Sequence, residues 1–288
     1  MSLASVTPAQ QVFHRSFGSG PRQLFAVHCS LGHSGAWRGL AGALGETQVT
    51  LTGFDLLSHG RSPDWDGQGN LQLRNTEAGL ALLAAEVARN GAPVDVIGHS
   101  FGAIVALAMA QAEPAMIRSL TLIEPVLFAA AIGRNAADAT GAAAIAEAQL
   151  RTEHGMVEQL YEAGELEQAT RRFNRLWGAE HPKWPDLPES SRAAMMRAFS
   201  AVMACNAQLY EDVTGLLAPG ALESLPMPVY LVMGEETQPI MRAVMAALSE
   251  RIPAAKEAEV PGAGHMLPVT HPQVLAGLLE TFWQEAAG

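Results

Sequence analysis

Residues 98–102, Gly-His-Ser-Phe-Gly, constrain the fold of this chain more than any other stretch. An apolar run at 94–97 precedes them and an apolar, helix-forming run at 103–110 follows. The segment therefore predicts a strand, a sharp turn and a helix. Glycine at both ends permits a turn so tight that a Cβ would clash. Ser100 at the tip would project away from the sheet, in front of the N–H groups of the new helix. A plain Gly-Ser turn is the structural alternative.

A serine hydroxyl placed in this way needs a base before it can act as a nucleophile, and histidine is the usual one. Among 9 histidines, His265 stands out because a strand-like run at 256–260 leads into its loop, Pro-Gly-Ala-Gly-His. A histidine on a glycine-rich loop at a strand end is placed for chemistry rather than for packing. His271 is the local competitor, but Thr-His-Pro at 270–272 is typical of a helix start. We predict Ser100 as the nucleophile and His265 as the general base.

Attack on a carbonyl carbon also requires hydrogen-bond donors for the negative charge that develops on the oxygen. The backbone N–H of Phe101, next to the nucleophile, is the first predicted donor. The second is expected on the loop that follows an early central strand at 24–27. Small residues in that loop allow the backbone to approach a substrate closely, and we assign the second donor to the N–H of Ser30.

Four segments together make the chain resemble the α/β-hydrolase superfamily. They are His-Cys-Ser at 28–30, Asp-Leu-Leu-Ser-His-Gly-Arg-Ser at 55–62, the turn at 98–102 and Gly-Ala-Gly-His at 262–265. They occur in the family's order and span nearly the whole chain. The resemblance implies an α/β class protein with the α/β-hydrolase fold: a mostly parallel twisted sheet flanked by helices, with an inserted helical cap. Similar proteins usually have His-Gly where this chain has His-Cys, and we expect Cys29 to narrow the site.

The carboxylate that orients the histidine is where the chain departs from the family. Similar proteins usually carry it in a Gly-x-x-Asp pattern after the penultimate core strand. Here that strand, at 228–234, is followed by Glu-Glu-Thr, and Thr237 stands where Asp is expected. Some family members place the acid after the strand that follows the nucleophile helix, which in this chain is the position of Glu124. We predict Glu124 as the acid, with Glu236 and then Glu235 as alternatives.

Strand-like and helix-like runs alternate through most of the chain, which is typical of a parallel sheet covered on both faces. Ligands of such sheets bind beyond the carboxyl ends of the strands. The expected strands are 11–17, 24–27, 48–54, 94–97, 119–123, 228–234 and 256–260, and the expected core helices are 37–44, 76–89, 101–112 and 273–285.

Between residues 128 and 226 the strand signals stop, and good helix formers such as Ala, Glu, Gln, Met and Arg dominate. We predict a hydrolase core of residues 1–127 and 227–288, with a helical cap at 128–226. A cap over the sheet edge would exclude water and shape the substrate cavity. Helices are expected in it at 153–160, 165–177 and 190–210.

Composition argues against several classes of partner. A formal net charge of −11 leaves no basic surface to replace the counterions of nucleic acid, and it disfavours anionic membranes. The 2 cysteines form no disulfide framework and no cluster with zinc spacing, so no metal is expected. No Gly-rich nucleotide loop occurs, so no cofactor is expected. The N-terminus lacks the features of a signal peptide and no stretch is long and apolar enough to span a bilayer, so we expect a cytoplasmic protein.

The leading hypothesis is a cofactor-free serine hydrolase that cleaves a small or medium apolar ester, or a related acyl bond, through an acyl-enzyme. Family members that hydrolyse carbon–carbon bonds use the same residues, so that reaction stays open. Serine at position 100 disfavours haloalkane dehalogenase and epoxide hydrolase chemistry, which needs a carboxylate nucleophile. The alternatives are a slowly or non-catalytic ligand-binding and signalling protein, and an acyltransferase. The expected partner is a small-molecule substrate, and a homodimer is retained as a hypothesis.

Overall fold

A computed structural model describes residues 11–133, 141–178 and 182–286 of this chain. These residues contain the strands β1 (His14–Phe17), β2 (Arg22–Val27), β3 (Val49–Phe54), β4 (Val94–His99), β5 (Ile117–Ile123), β6 (Val229–Gly234) and β7 (Lys256–Val260). They form one sheet in the order β1-β3-β2-β4-β5-β6-β7. Only β1 runs antiparallel to its neighbour, β3, and the other pairs are parallel. The predicted α/β class, with a mostly parallel sheet, is confirmed.

Helices connect the strands and cover the sheet. The helices of the described residues are α1 (Arg38–Leu44), α2 (Leu71–Asn90), α3 (Phe101–Ala112), α4 (Ala142–Glu162), α5 (Leu166–Trp177), α6 (Glu189–Ala204), α7 (Asn206–Glu211), α8 (Pro239–Ser249), α9 (Leu267–Thr270) and α10 (Pro272–Ala286). Four of them, α4 to α7, lie between β5 and β6, within the segment predicted as a cap. The two-part domain division itself stays a prediction.

The core lies on both faces of the sheet because successive side chains of a strand point to opposite sides. Val96 and Leu122 face a cluster that includes residues of α2, α3 and α8. Their neighbours Ile97 and Ile123 face a second cluster built with α1 and α10. All four side chains are fully buried, and each contributes about 1.5–3 kcal/mol of hydrophobic stabilisation. Burial on both faces explains why apolar residues occupy consecutive positions in these central strands.

Several element boundaries differ from the predictions: the helix expected at 153–160 is the much longer α4, and the strand expected at 11–17 begins at His14. Two further differences have identifiable reasons. The helix expected at 76–89 begins at Leu71, because the Asn70 side chain accepts a hydrogen bond from the Leu73 N–H and caps it. The single helix expected at 190–210 is two helices, α6 and α7, which meet at Cys205. No glycine or proline marks that junction, so the break has no local signal in the sequence.

The described part of the chain has no helix that combines the length and the apolar character needed to cross a membrane. Within the same residues, no three His, Cys, Asp or Glu side chains are grouped so that they could hold a metal ion.

Candidate active site

Ser100 stands at a strained turn between β4 and α3. Its backbone angles are φ 57° and ψ −121°, a conformation that costs on the order of 1–3 kcal/mol for a residue with a side chain. Both flanking glycines are required by close approach of the backbone. A Cβ on Gly98 would overlap the first turn of α3, and a Cβ on Gly102 would overlap the carbonyl oxygens of Val27 and His28. The turn therefore presses the start of α3 against the end of β2.

Ser100, His265 and Glu124 form a continuous hydrogen-bonded chain. The Nε2 atom of His265 lies 3.0 Å from the Ser100 Oγ, and its Nδ1 lies 2.9 Å from a carboxylate oxygen of Glu124. With a neutral imidazole, the Nδ1–H donates to Glu124 and Nε2 accepts from the Ser100 hydroxyl. All three side chains are buried. The structure thus brings together the three residues that the sequence suggested for nucleophile, base and acid.

Glu124 is fully buried, and its carboxylate accepts hydrogen bonds from three groups. Besides His265, these are the Gly234 N–H at 2.8 Å and the Thr237 hydroxyl. Donors of this kind offset the desolvation of a buried carboxylate. Thr237 occupies the position at which similar proteins carry Asp, and here it supports an acid that comes from the neighbouring strand. Residue 124 has a positive φ of 48°, so the backbone turns sharply where β5 ends.

The alternative acids lie elsewhere. Glu235 and Glu236 are both exposed. The Glu235 carboxylate accepts a hydrogen bond from the Gly262 N–H at 2.8 Å, which ties the loop after β6 to the loop that carries the histidine. Gly234 allows this contact, because a Cβ there would overlap the carbonyl groups of Ala263 and Gly264.

Two further side chains hold His265 in place. His99 donates a hydrogen bond from Nε2 to the His265 carbonyl oxygen at 2.8 Å. The indole ring of Trp177, at the end of α5, packs against the imidazole with ring centres 4.7 Å apart. The role of His99 was not apparent in the sequence, where it is the variable position of the Gly-x-Ser-x-Gly turn.

The predicted oxyanion donors lie on the loops around Ser100. Phe101 is the first residue of α3, so its N–H has no acceptor within the helix, and no side chain caps this end. Ser30 follows β2 and lines the same cavity as Ser100. Next to it, Leu31 adopts φ 61°, an unusual conformation for a side-chain-bearing residue, and Gly32 closes the turn by donating to the Cys29 carbonyl.

A buried polar cluster fixes the loop that carries Ser30. Asp55 accepts hydrogen bonds from the N–H groups of Ser34 at 2.6 Å and Arg61 at 2.7 Å. Burial alone would raise the pKa of Asp55, but these hydrogen bonds outweigh it and the pKa is lowered. His28 accepts from the Leu56 N–H at its Nε2 atom, and burial lowers the pKa of His28 so that the ring stays neutral.

Cys29, which stands where similar proteins usually have glycine, is buried. Burial raises the pKa of its thiol to about 12. The thiol is therefore protonated at neutral pH and is not a competing nucleophile.

Ser100 and His265 open onto a cavity of about 310 Å³. The loop after β2 forms one wall, and residues of α4 to α7 form much of the rest. Apolar side chains dominate, and they include Val126, Phe128, Trp177, Met195, Val202 and Leu209. Among the residues that the structure describes, no Lys, Arg, Asp or Glu lines this cavity.

Comparisons with known proteins agree with this architecture. The sequence model described as "Alpha/beta hydrolase family" matches residues 24–278. The chain is 36% identical over 110 residues to lipase LipV of Mycobacterium tuberculosis, a match that covers 38% of this chain and 39% of the lipase. It is 25% identical to the pimeloyl-[acyl-carrier protein] methyl ester esterase of Methylococcus capsulatus, over 94% of this chain and 98% of the esterase. A hydrolase structure from Oleispira antarctica superposes with a TM-score of 0.70 at 18% identity, covering 96% of each chain.

Proposed function

Since this chain belongs to the alpha/beta hydrolase family and is a hydrolase of that superfamily, we propose that it cleaves small or medium apolar carboxylic esters through an acyl-enzyme on Ser100. The observation that carries this proposal is the hydrogen-bonded chain from the Ser100 hydroxyl through His265 to Glu124, at the wall of an apolar cavity.

In the first half of the proposed reaction, the Ser100 Oγ attacks the ester carbonyl carbon while His265 Nε2 accepts the hydroxyl proton. Glu124 stabilises the imidazolium that forms and keeps the ring in the required tautomer. The N–H groups of Phe101 and Ser30 are proposed to donate to the oxyanion. The carbon–oxygen bond then breaks, His265 gives its proton to the departing alcohol, and the acyl group remains on Ser100. Water, activated by the same histidine, releases the carboxylic acid and regenerates the hydroxyl.

The cavity supports an apolar, uncharged substrate. A charged acyl group would lose its hydration there without a charged partner among the described lining residues. The names of two sequence relatives, a lipase and a methyl ester esterase, also support ester cleavage. We propose the segment 128–226 as the cap over the site, because α4, α5, α6 and α7 each supply side chains to the cavity wall.

Hydrolysis of p-nitrophenyl esters of increasing acyl length by the native chain and by Ser100→Ala tests this function. We expect rates that depend on acyl length and a fall of at least about 10³-fold in the variant, because the covalent step is lost. The matched control is Ser224→Ala, a change at an exposed serine that should leave the rates unchanged. Equal background rates in the native chain and in Ser100→Ala would refute the esterase proposal.

The alternative of a ligand-binding protein is suggested by Thr237 at the position where similar proteins carry Asp. The hydrogen bond from Thr237 to Glu124 weakens this argument, because Glu124 can supply the carboxylate. Acyl transfer is tested by adding an acceptor alcohol to the same assay. A new ester product at unchanged nitrophenol release would identify a transferase. The homodimer and the cytoplasmic location stay predictions.

A further inference from the structure

The cavity wall also contains His154, a histidine outside the hydrogen-bonded chain of Ser100, His265 and Glu124. His154 of α4 is only 6% exposed and lines the cavity that Ser100 and His265 open onto. Its ring is surrounded by those of Phe128, Trp177 and Tyr210, with centres 5.8 Å away in each case, and of Phe173 at 6.1 Å. The indole of Trp177 also contacts His265. The two histidines therefore contact the same indole ring.

One nitrogen of His154 is paired within the protein. Its Nδ1 lies 2.7 Å from the hydroxyl oxygen of Tyr210 on α7. Burial lowers the pKa of His154 to about 4, so the ring is neutral at pH 7. Burial also raises the pKa of Tyr210, which keeps its single hydroxyl proton. The described residues offer this proton no acceptor other than Nδ1, so we assign it to that hydrogen bond, which leaves the ring proton of the neutral imidazole on Nε2.

The other nitrogen has no partner. The Nε2 atom of His154 is buried and makes no hydrogen bond to any residue that the structure describes. Buried polar atoms are almost always paired, and an unpaired donor in apolar surroundings is destabilising. A donor kept in the wall of a substrate cavity is explained if a group on the substrate accepts from it.

We propose that His154 is a specificity-determining residue, whose Nε2–H donates a hydrogen bond to a second oxygen of the substrate beyond the ester group. The substrate class is then an uncharged ester whose acyl chain carries one acceptor oxygen, such as an ether or a ketone. This proposal rests on the proposed esterase function and on the same cavity. A neutral donor without a Lys or Arg in the described lining suits a neutral oxygen better than a carboxylate.

The test uses p-nitrophenyl hexanoate and three analogues in which an ether oxygen replaces the methylene at acyl position 3, 4 or 5. An ether oxygen only accepts hydrogen bonds, so it reports a donor specifically. The variants are His154→Phe, which keeps a ring without nitrogen, and His154→Gln, whose amide N–H can reach the position of Nε2. The ratio of kcat/KM for each ether ester to that for the hexanoate is compared between native chain and variant, so that intrinsic ester reactivity cancels.

We expect one ether position to show a ratio about three- to tenfold lower in His154→Phe than in the native chain, the range of one hydrogen bond. His154→Gln should recover part of it. An unchanged ratio at every position would overturn the proposal, even if kcat/KM falls equally for all four esters, because His154 would then act only in packing.

Binding separates this proposal from the esterase proposal. The dissociation constants of the same four esters are measured with Ser100→Ala and with Ser100→Ala combined with His154→Phe, using the fluorescence of Trp177 in the cavity wall. Selective weakening of one ether ester in the double variant supports the role of His154 even if the native chain hydrolyses none of them, a result that would refute only the esterase proposal. Equal binding of all four esters by both variants would overturn the role of His154.

Discussion

Glu124 is a carboxylate for which the fold supplies a dedicated environment. It is fully buried, yet each of its oxygens accepts a hydrogen bond, and the Nδ1 of His265 is one of the donors. A group in that position can hold the imidazole in one tautomer throughout a reaction cycle. The Thr237 hydroxyl, at the position usual for the acid, becomes a donor to it. Glu124, after β5, thus carries the carboxylate, and Thr237, after the neighbouring strand β6, supports it with a hydrogen bond.

Replacement of Glu124 should therefore remove most of the activity without unfolding the chain. We expect Glu124→Gln to lower kcat by about 10⁴-fold, because an amide neither orients the neutral ring correctly nor stabilises the imidazolium. Ester hydrolysis measures the loss, and circular dichroism confirms that the fold is retained. Glu236→Gln, at an exposed position, is the matched control and should keep the native rate. A near-native rate for Glu124→Gln would instead assign the acid to Glu235 or Glu236.

At the scale of elements, the site depends on three loops that meet at the carboxyl ends of the strands. The turn after β4 carries Ser100, the loop after β2 carries Ser30, and the loop after β7 carries His265. Gly102 sets the distance between the first two, since a Cβ there would overlap the carbonyl oxygens of Val27 and His28. Neither oxygen belongs to a flexible side chain, so the backbone itself would have to move.

Gly102→Ala is accordingly expected to separate α3 from the loop after β2, lowering both stability and activity. The added methyl group meets fixed backbone, and overpacking of this kind costs about 1–3 kcal/mol. Urea unfolding and ester hydrolysis measure the two losses. The matched control is Gly277→Ala in α10, where a Cβ meets nothing within 4 Å and where alanine should stabilise the helix by up to about 1 kcal/mol. Native stability in Gly102→Ala would contradict the close packing described for the turn.

The arrangement of strands and helices also explains which parts of the site could be predicted from the sequence. The convergence of Ser100, His265 and Glu124 was predictable because each follows a strand and parallel strands end at one edge of the sheet. The partnership of His154 with Tyr210 was not, because 56 residues separate them and only the packing of α4 against α7 joins them. The contact of His99 with the His265 carbonyl spans 166 residues in the same way.

For the whole molecule, buried histidines connect the folded state to pH. Burial lowers the pKa of His28, and it lowers the pKa of His59 and of His154 to about 4 in each case. In the unfolded chain a histidine has a pKa of about 6.5. Between these values the unfolded chain binds protons that the folded chain does not. Hydrogen bonds also lower the pKa of Asp55, and this carboxylate adds to the loss of stability below about pH 4.

The folded state should consequently be most stable above about pH 6.5 and lose stability as the pH falls towards 4. Each of these histidines contributes about 1.4 kcal/mol per pH unit within that window, because one pKa unit corresponds to that free energy. Replacing one of these histidines should reduce the pH dependence of the free energy of unfolding by the contribution of that histidine. His154→Phe is suited to this measurement, since its ring occupies the same apolar surroundings and cannot bind a proton.

Urea unfolding at intervals from pH 7 to pH 4.5 measures this dependence. We expect the free energy of unfolding of His154→Phe to fall less steeply than that of the native chain, by about 1.4 kcal/mol per pH unit. His14→Asn, a change at an exposed histidine, should reproduce the native slope. Parallel curves for the native chain and His154→Phe would mean that His154 is protonated equally in the folded and unfolded states. The neutral ring on which its role as a hydrogen-bond donor depends would then be excluded by a measurement that requires neither substrate nor catalysis.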